Sequence, residues 1–271
     1  MNNTLKSEAV RDAVKTIQLI GIGPGDDQYL TLQAIHAMQQ AAVFFLLEKA
    51  GRGKEALVNR RREMLARFAG ERDYRIVVVP SPPRTMTASG YQEGVREWHQ
   101  QKRTLFANLI DNQLHPGEHG AFLIWGDPSL YDQTVSLIAE QVATAPETLK
   151  LEMIPGITSV QALTAKHCIP LNRVGENIAI VPGRYAETCD LDAIDNAVVM
   201  LDYNASFQRF QGQDFDLYWA GDLGGADETL LAGPLDDICA TVLETKAALR
   251  ARKGWLMDIY LLRKRRGKVE S

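Results

Sequence analysis

Apolar residues along the chain gather first into short runs. These are Thr16 to Ile22 (TIQLIGI), Val43 to Leu47 (VFFLL), Arg75 to Val79 (RIVVV), Ala121 to Trp125 (AFLIW) and Lys150 to Ile154 (KLEMI). Each is too short for an ordinary helix and is closed by glycine, proline or charged residues, which predicts buried strands. Amphipathic stretches lie between them. Asp26 to Leu30 reads as loop, and Thr31 is predicted to cap a helix over LQAIHAMQQA with Leu32, Ile35 and Met38 on one face. Further helices are predicted over Gly51 to Ala69, Tyr91 to Leu114 and Val135 to Val142; His115-Pro116-Gly117 ends the second of these.

Past Pro155-Gly156 the alternation continues less cleanly. Helices are expected over Thr158 to His167 and Leu235 to Arg250, and strands over Ile178 to Val181, Ala197 to Leu201, Leu217 to Ala220 and Trp255 to Leu262. Strands that alternate with helices call for parallel crossovers and sheets covered by helices, so the class is α/β. The expected organisation is two α/β domains, 16–155 and 156–265. The leading residues before Thr16 read as a loose extension or short helix.

Composition narrows the function classes. The 271 residues are 45% hydrophobic and 24% charged, enough for a real core. A net charge of −4 gives no pull toward nucleic acid or a membrane surface. Cys168, Cys189 and Cys239 form no CxxC pair, so a reducing, cytoplasmic setting is expected. No apolar run approaches the roughly 20 residues of a bilayer span, and the opening residues have no secretory apolar segment. The basic run Arg263 to Lys268 reads as a solvated tail. No HxH or HxxxH pair occurs, and no metal site is expected.

Three loops follow predicted strands. The first, Gly21-Ile22-Gly23-Pro24-Gly25-Asp26, stands where open α/β sheets bind ligands, at the carboxyl end of a strand. A dinucleotide fingerprint is one reading, with Glu48 as the ribose acid. Pro24 argues against it by lacking an N–H donor, and Asp26 by placing negative charge where a pyrophosphate would sit. A bare turn and a site for a non-phosphate ligand remain. The others are Gly126-Asp127-Pro128-Ser129-Leu130-Tyr131 and Ile154-Pro155-Gly156-Ile157-Thr158-Ser159. Either alone is loop punctuation; together with the first they expose backbone at neighbouring strand ends, with Ser129, Thr158 and Ser159 as hydroxyl partners for a ligand.

The ordered set of GxGxGD, GDP and PGITS resembles the tetrapyrrole methylase family over most of the chain, from about Ile17 to Leu262. Pro82-Pro83-Arg84, Tyr91, Val95, Trp98 and His99, Trp125, and Lys166 to Glu176 are similar to the family's branch that methylates precorrin-5 at carbon 1 and releases acetate in aerobic cobalamin biosynthesis. The resemblance implies two α/β domains with an inter-domain active-site cleft, a homodimer, S-adenosyl-L-methionine as cofactor and S-adenosyl-L-homocysteine as product. It implies cofactor contacts from Pro24, Gly126, Asp127, Pro128, Ser129, Tyr131, Thr158, Ser159, Met200 and Ala232, the last in a loop Ala232-Gly233-Pro234. Loss of acetate requires activated water; Asp26, Asp127, Tyr131 and Asp132 are candidates by location for proton handling, with Asp26 and Tyr131 preferred. A substrate with many carboxylates calls for cations, and Arg84, Arg173 and Arg184 stand beside the proposed loops. Alternatives are a methylase for another macrocycle carbon, a ribosomal RNA methyltransferase of the same fold, a nicotinamide-dependent oxidoreductase and a catalytically dead binding module.

Overall fold

The computed structural model describes residues 14–83 and 91–266, without the side chains of Tyr91 and Gln92. Arg84, the leading residues through Ala13 and the end of the basic run at Lys268 lie outside them. The chain divides into two compact units between Ile157 and Thr158.

The first unit is one five-stranded sheet. Its strands are β1 (Lys15–Gly21), β2 (Val43–Glu48), β3 (Arg75–Pro80), β4 (His119–Ile124) and β5 (Leu149–Ile154), in the order β3-β2-β4-β1-β5 and all parallel. Helices α1 (Leu32–Gln40), α2 (Glu55–Phe68), α3 (Tyr91–Gln113) and α4 (Thr134–Thr144) make the crossovers. The apolar runs of β1, β2 and β4 are explained by burial of both sheet faces, whereas the edge strand β5 leaves Lys150, Glu152 and Met153 exposed. Ile20, Phe44, Leu46 and Leu123 pack with Met38, Met64 and Leu65 in one core. Ile17, Leu19, Phe45 and Phe122 pack with Phe106, Ile110 and Ile138 in the other.

Thr31 caps α1 as expected, its Oγ1 accepting the Ala34 N–H at 3.0 Å. The expected buried face is corrected: Ala34, Ala37 and Met38 are inside, whereas Leu32 is 75% exposed. Small residues let the helix lie close on the sheet, and the stripe is rotated accordingly. Asp27–Tyr29, read as loop, is one turn of 3₁₀-helix.

The second unit is a mixed sheet of β6 (Ala179–Pro182), β7 (Asn196–Met200), β8 (Phe215–Gly221), β9 (Thr229–Pro234) and β10 (Asp258–Lys264), ordered β6-β7-β10-β8-β9. Only β6 and β7 run parallel; the other pairings are antiparallel. Its helices are α5 (Ser159–His167), α6 (Gly183–Thr188) and α7 (Leu235–Lys253), and Trp219, Tyr260, Phe207, Phe210 and Leu217 fill the core.

Three readings change here. Ala232-Gly233-Pro234 is the end of β9, paired with Tyr218, Leu217 and Asp216, and not a loop. The strand expected from Trp255 begins at Asp258. The basic run is not a solvated tail where it is described. Arg263 is a buried member of β10 that donates to the Pro170 and Leu171 carbonyls. Arg265 and Arg266 pair with Asp214 and Glu176.

Candidate active site

Strands β4, β1 and β5 are neighbours, so the loops that follow them emerge side by side at one edge of the first sheet. Their backbones touch. Gly126 N donates to Gly23 O at 2.8 Å, and Gly23 N returns a bond to Gly126 O at 3.2 Å. A methyl group on Gly21 would stand 2.5 Å from Gly156 N, and one on Gly156 only 2.2 Å from Gly126 O. Glycine at 21 and 156 is therefore dictated by backbone-to-backbone approach, with no flexible side chain to yield. Gly156→Ala is expected to cost about 3 kcal/mol of stability; a melting temperature equal to that of the parent would contradict this contact.

Asp127 ties the loops together. Its Oδ2 accepts the Gly156 N–H at 2.8 Å, and its Oδ1 accepts the Ser129 N–H at 2.8 Å and the Ser129 hydroxyl. The carboxylate is buried. Desolvation works to raise its pKa, but the bonds from Ser129 and Gly156 outweigh it and hold the group below the ordinary carboxylate value. Asp127 thus organises the site with both oxygens engaged. The same turn puts Tyr131 in left-handed backbone, φ 56°, with its side chain 45% exposed. A bulky residue there stores strain of the kind found at functional sites.

The first loop is donor-poor. Asp26 Oδ1 caps the short 3₁₀ turn by accepting Gln28 N–H at 2.9 Å. Asp27 pairs with Arg60 at 2.8 Å and with Arg67, and Arg60 Nε also donates to Gly25 O at 3.0 Å. Sequence reasoning missed these clamps because they join loop to helix α2 across more than thirty residues. The next α-helix begins only at Leu32, so no open helix N-terminus faces the loop to hold a pyrophosphate.

In the second unit, Thr158 caps α5, its Oγ1 accepting Val160 N–H at 3.1 Å and donating to Gln161, and Ser159 is the first helical residue. Met200 ends β7, followed by Leu201 in left-handed backbone (φ 57°) and 69% exposed. The cause is Asp202, which is buried and accepts from Ser206 N at 2.6 Å and from Tyr260 OH at 2.6 Å. A methyl group on Gly183 would lie 2.5 Å from Asp202 Cα. With Asp202 fixed so tightly, the chain turns sharply at Leu201. Lys246 holds the same turn, its Nζ donating to Asp202 O at 2.7 Å and pairing with Asp258 at 2.7 Å. Neither Leu201 nor Lys246 was singled out beforehand. Lys246 could have been, since it occupies the apolar stripe Leu235, Cys239, Val242, Lys246, Leu249 of α7.

Of the expected arginines, Arg173 is tied to Glu176 and to Lys264 O, and Arg184 lies in α6. His99 meets Gln133.

Comparison with known proteins agrees with this geometry. The family model described as Tetrapyrrole (Corrin/Porphyrin) Methylases matches residues 16–239. The chain is 39% identical over 251 residues to Precorrin-6A synthase [deacetylating] of Sinorhizobium sp, covering 93% of this chain and 96% of the relative. Among solved structures, a cobalamin synthesis related protein (CobF) from Corynebacterium diphtheriae superposes with a TM-score of 0.78 at 37% identity, covering 93% of this chain and 99% of that one. The uroporphyrin-III C-methyl transferase of Thermus thermophilus, complexed with S-adenosyl homocysteine, is 17% identical with a TM-score of 0.55 over 92% of this chain and 97% of its own, and shares the fold.

Proposed function

The chain belongs to the tetrapyrrole methylase family, and we propose that it is the cobalamin-pathway methyltransferase that methylates precorrin-5 at carbon 1 and releases the acetyl group as acetate, giving precorrin-6A. The observation that carries this reading is the 39% identity to a precorrin-6A synthase along 93% of the chain. The glycine-built loop edge, in which Pro24 has no N–H to offer a pyrophosphate, supports S-adenosyl-L-methionine over a dinucleotide as the partner cofactor.

When bound, the cofactor supplies an electrophilic methyl on a sulfonium. The macrocycle supplies its own nucleophilic carbon, so the protein's work is alignment and exclusion of water. Asp127 fixes the Gly126–Tyr131 turn against Gly156. We assign Pro24, Gly126, Pro128, Ser129 and Tyr131 to the cofactor, with Asp127 acting through the loop it holds. Thr158, Ser159, Met200 and Ala232 take the same role in the second unit, on the resemblance; the strained Leu201 next to Met200 supports a functional turn there. Removal of the acetyl group needs a water to add to its carbonyl, with acetate leaving and a proton accepted. Tyr131, exposed on a strained turn, suits that proton transfer better than Asp26, whose Oδ1 caps a turn. A cytoplasmic homodimer is proposed on the resemblance alone; no described helix is long and apolar enough to cross a membrane.

The test is calorimetry with S-adenosylhomocysteine and, separately, NAD. Saturable binding of the first alone is expected. Binding of NAD alone would overturn the assignment, and release of acetate from precorrin-5 in step with methyl transfer would establish the reaction.

A further inference from the structure

Several cations of the first unit are matched to acids. Arg60 and Arg67 share Asp27, Arg75 meets Glu118, and Arg103 meets Glu140. Lys49, Arg61 and Lys102 have no carboxylate within ion-pair distance among the described residues. They lie together nonetheless. Each feels the charge of Asp132, and Lys49 feels both Arg61 and Lys102. The single acid leaves this group with excess positive charge, and Asp132 is itself engaged by the Thr134 N–H at 2.7 Å.

The group is built. Arg61 on α2 is anchored by Nε to Leu123 O at 3.0 Å and by Nη1 to Leu57 O at 3.2 Å, and its guanidinium lies 4.8 Å over the Trp125 ring. Its Nη2 has no acceptor among the described residues. Lys102 on α3 stands 4.2 Å over the Trp98 ring, and Trp98 is fixed by its own bond to Pro82 O at 2.9 Å. Trp125 Nε1 is buried and likewise without an acceptor. Desolvation pushes all three cations below their ordinary pKa values, Arg61 to about 10. Arg61 and Lys102 are half-buried, with Lys49 exposed beside them; half-buried positive charge without a counter-ion is costly and is kept where an anion is to be received. The position fits as well. Lys49 follows the last residue of β2, Trp125 directly precedes Gly126, and Asp132 directly follows Tyr131, so the cluster borders the glycine loops.

We propose that Lys49, Arg61 and Lys102 form a subsite for ring carboxylates of the acidic tetrapyrrole, framed by Trp98 and Trp125. It rests on the methyltransferase reading above. It also replaces Arg173 as a cation for those carboxylates, since Arg173 is tied into the second unit's own backbone.

The full chain is titrated with uroporphyrin III, which carries eight carboxylates, by quenching of tryptophan fluorescence; S-adenosylhomocysteine calorimetry is run on the same preparations. Binding that weakens with added salt is expected. Lys49→Gln and Lys102→Gln should each weaken it about tenfold, with Lys102→Arg restoring most of it and S-adenosylhomocysteine affinity retained. Arg61→Gln should act more strongly but removes the Leu123 anchor, so the two lysines, which make no hydrogen bond among the described residues, carry the test. Porphyrin affinity unchanged within twofold in the Lys49→Gln/Lys102→Gln double variant would overturn the subsite, as would absence of porphyrin binding by the parent protein. Failure of the parent to bind S-adenosylhomocysteine would overturn the methyltransferase reading instead, and leaves the porphyrin titration able to decide the subsite by itself.

Discussion

Asp127→Ala is expected to weaken S-adenosylhomocysteine binding by about a hundredfold or more and to lower stability by about 3 kcal/mol. Both oxygens of the carboxylate are engaged by Ser129 and Gly156. Its effect on affinity runs through order. Without it the Gly156 and Ser129 N–H groups lose their acceptor, the Gly126–Tyr131 turn samples other conformations, and a ligand that needs the ordered turn is penalised by the fraction of time it is absent. Calorimetry and thermal unfolding measure the two effects. Retained affinity at reduced stability would make Asp127 a scaffold element without bearing on the ligand. The contribution should also depend on pH. A carboxylate whose folded pKa is depressed stabilises the protein fully above the unfolded value, near 3.8, and loses that stabilisation as pH falls through the lower folded value. The gap in melting temperature between the parent and Asp127→Ala should therefore be constant at neutral pH and close only in strong acid. A gap already shrinking above pH 5 would contradict the depressed pKa.

Lys246→Met is expected to destabilise the second unit by about 3–5 kcal/mol. Both charges of the Lys246–Asp258 pair are nearly solvent-free, at 4% side-chain exposure each. Removing the ammonium leaves the Asp258 carboxylate in the core with the Trp219 indole N–H, at 3.0 Å, as its one side-chain donor among the described residues. It also frees the Asp202 carbonyl that the lysine holds. Replacing both partners, as in Lys246→Met/Asp258→Leu, should recover much of the loss, because two apolar side chains carry no desolvation cost. Thermal unfolding decides it. A single variant within about 1 kcal/mol of the parent would mean that water reaches Asp258 and the pair is not buried in the energetic sense.

Apolar periodicity made the first unit largely legible. Its strands β1, β2 and β4 are buried on both faces, so each announces itself as an apolar run ended by a turn, whereas the edge strand β5 carries exposed Lys150 and Glu152 within its run. The second unit is mixed. Its edge strand β9 reads TLLAGP, half-exposed and ending in Gly-Pro, which looks like a loop in a linear reading. Helix α6 has only six residues and no periodicity to detect. Leu32 shows the limit of spacing arguments: helical spacing was right, but which face turns inward depends on how closely the sheet approaches. In the candidate site, the glycine loops were legible because contact between backbones demands glycine. The role of Asp127 was visible only as position, since its partner Gly156 lies 29 residues away. Lys49, Arg61 and Lys102 come from three separate elements, and nothing in linear spacing brings them together.

The place of β10 governs how the second unit can be made. It lies at the centre of its sheet, between β7 and β8, although it is the last strand among the described residues. During synthesis β6, β7, α6, β8, β9 and α7 all leave the ribosome before the strand that joins them, and until then β7 and β8 each present an open, apolar edge. The first unit differs, since its last strand is finished at Ile154 and it can close while the remainder is still being translated. Early termination between residues 158 and 258 should therefore yield a folded first unit joined to an aggregation-prone remnant, and the nascent chain has most need of a chaperone in the interval between α7 and β10.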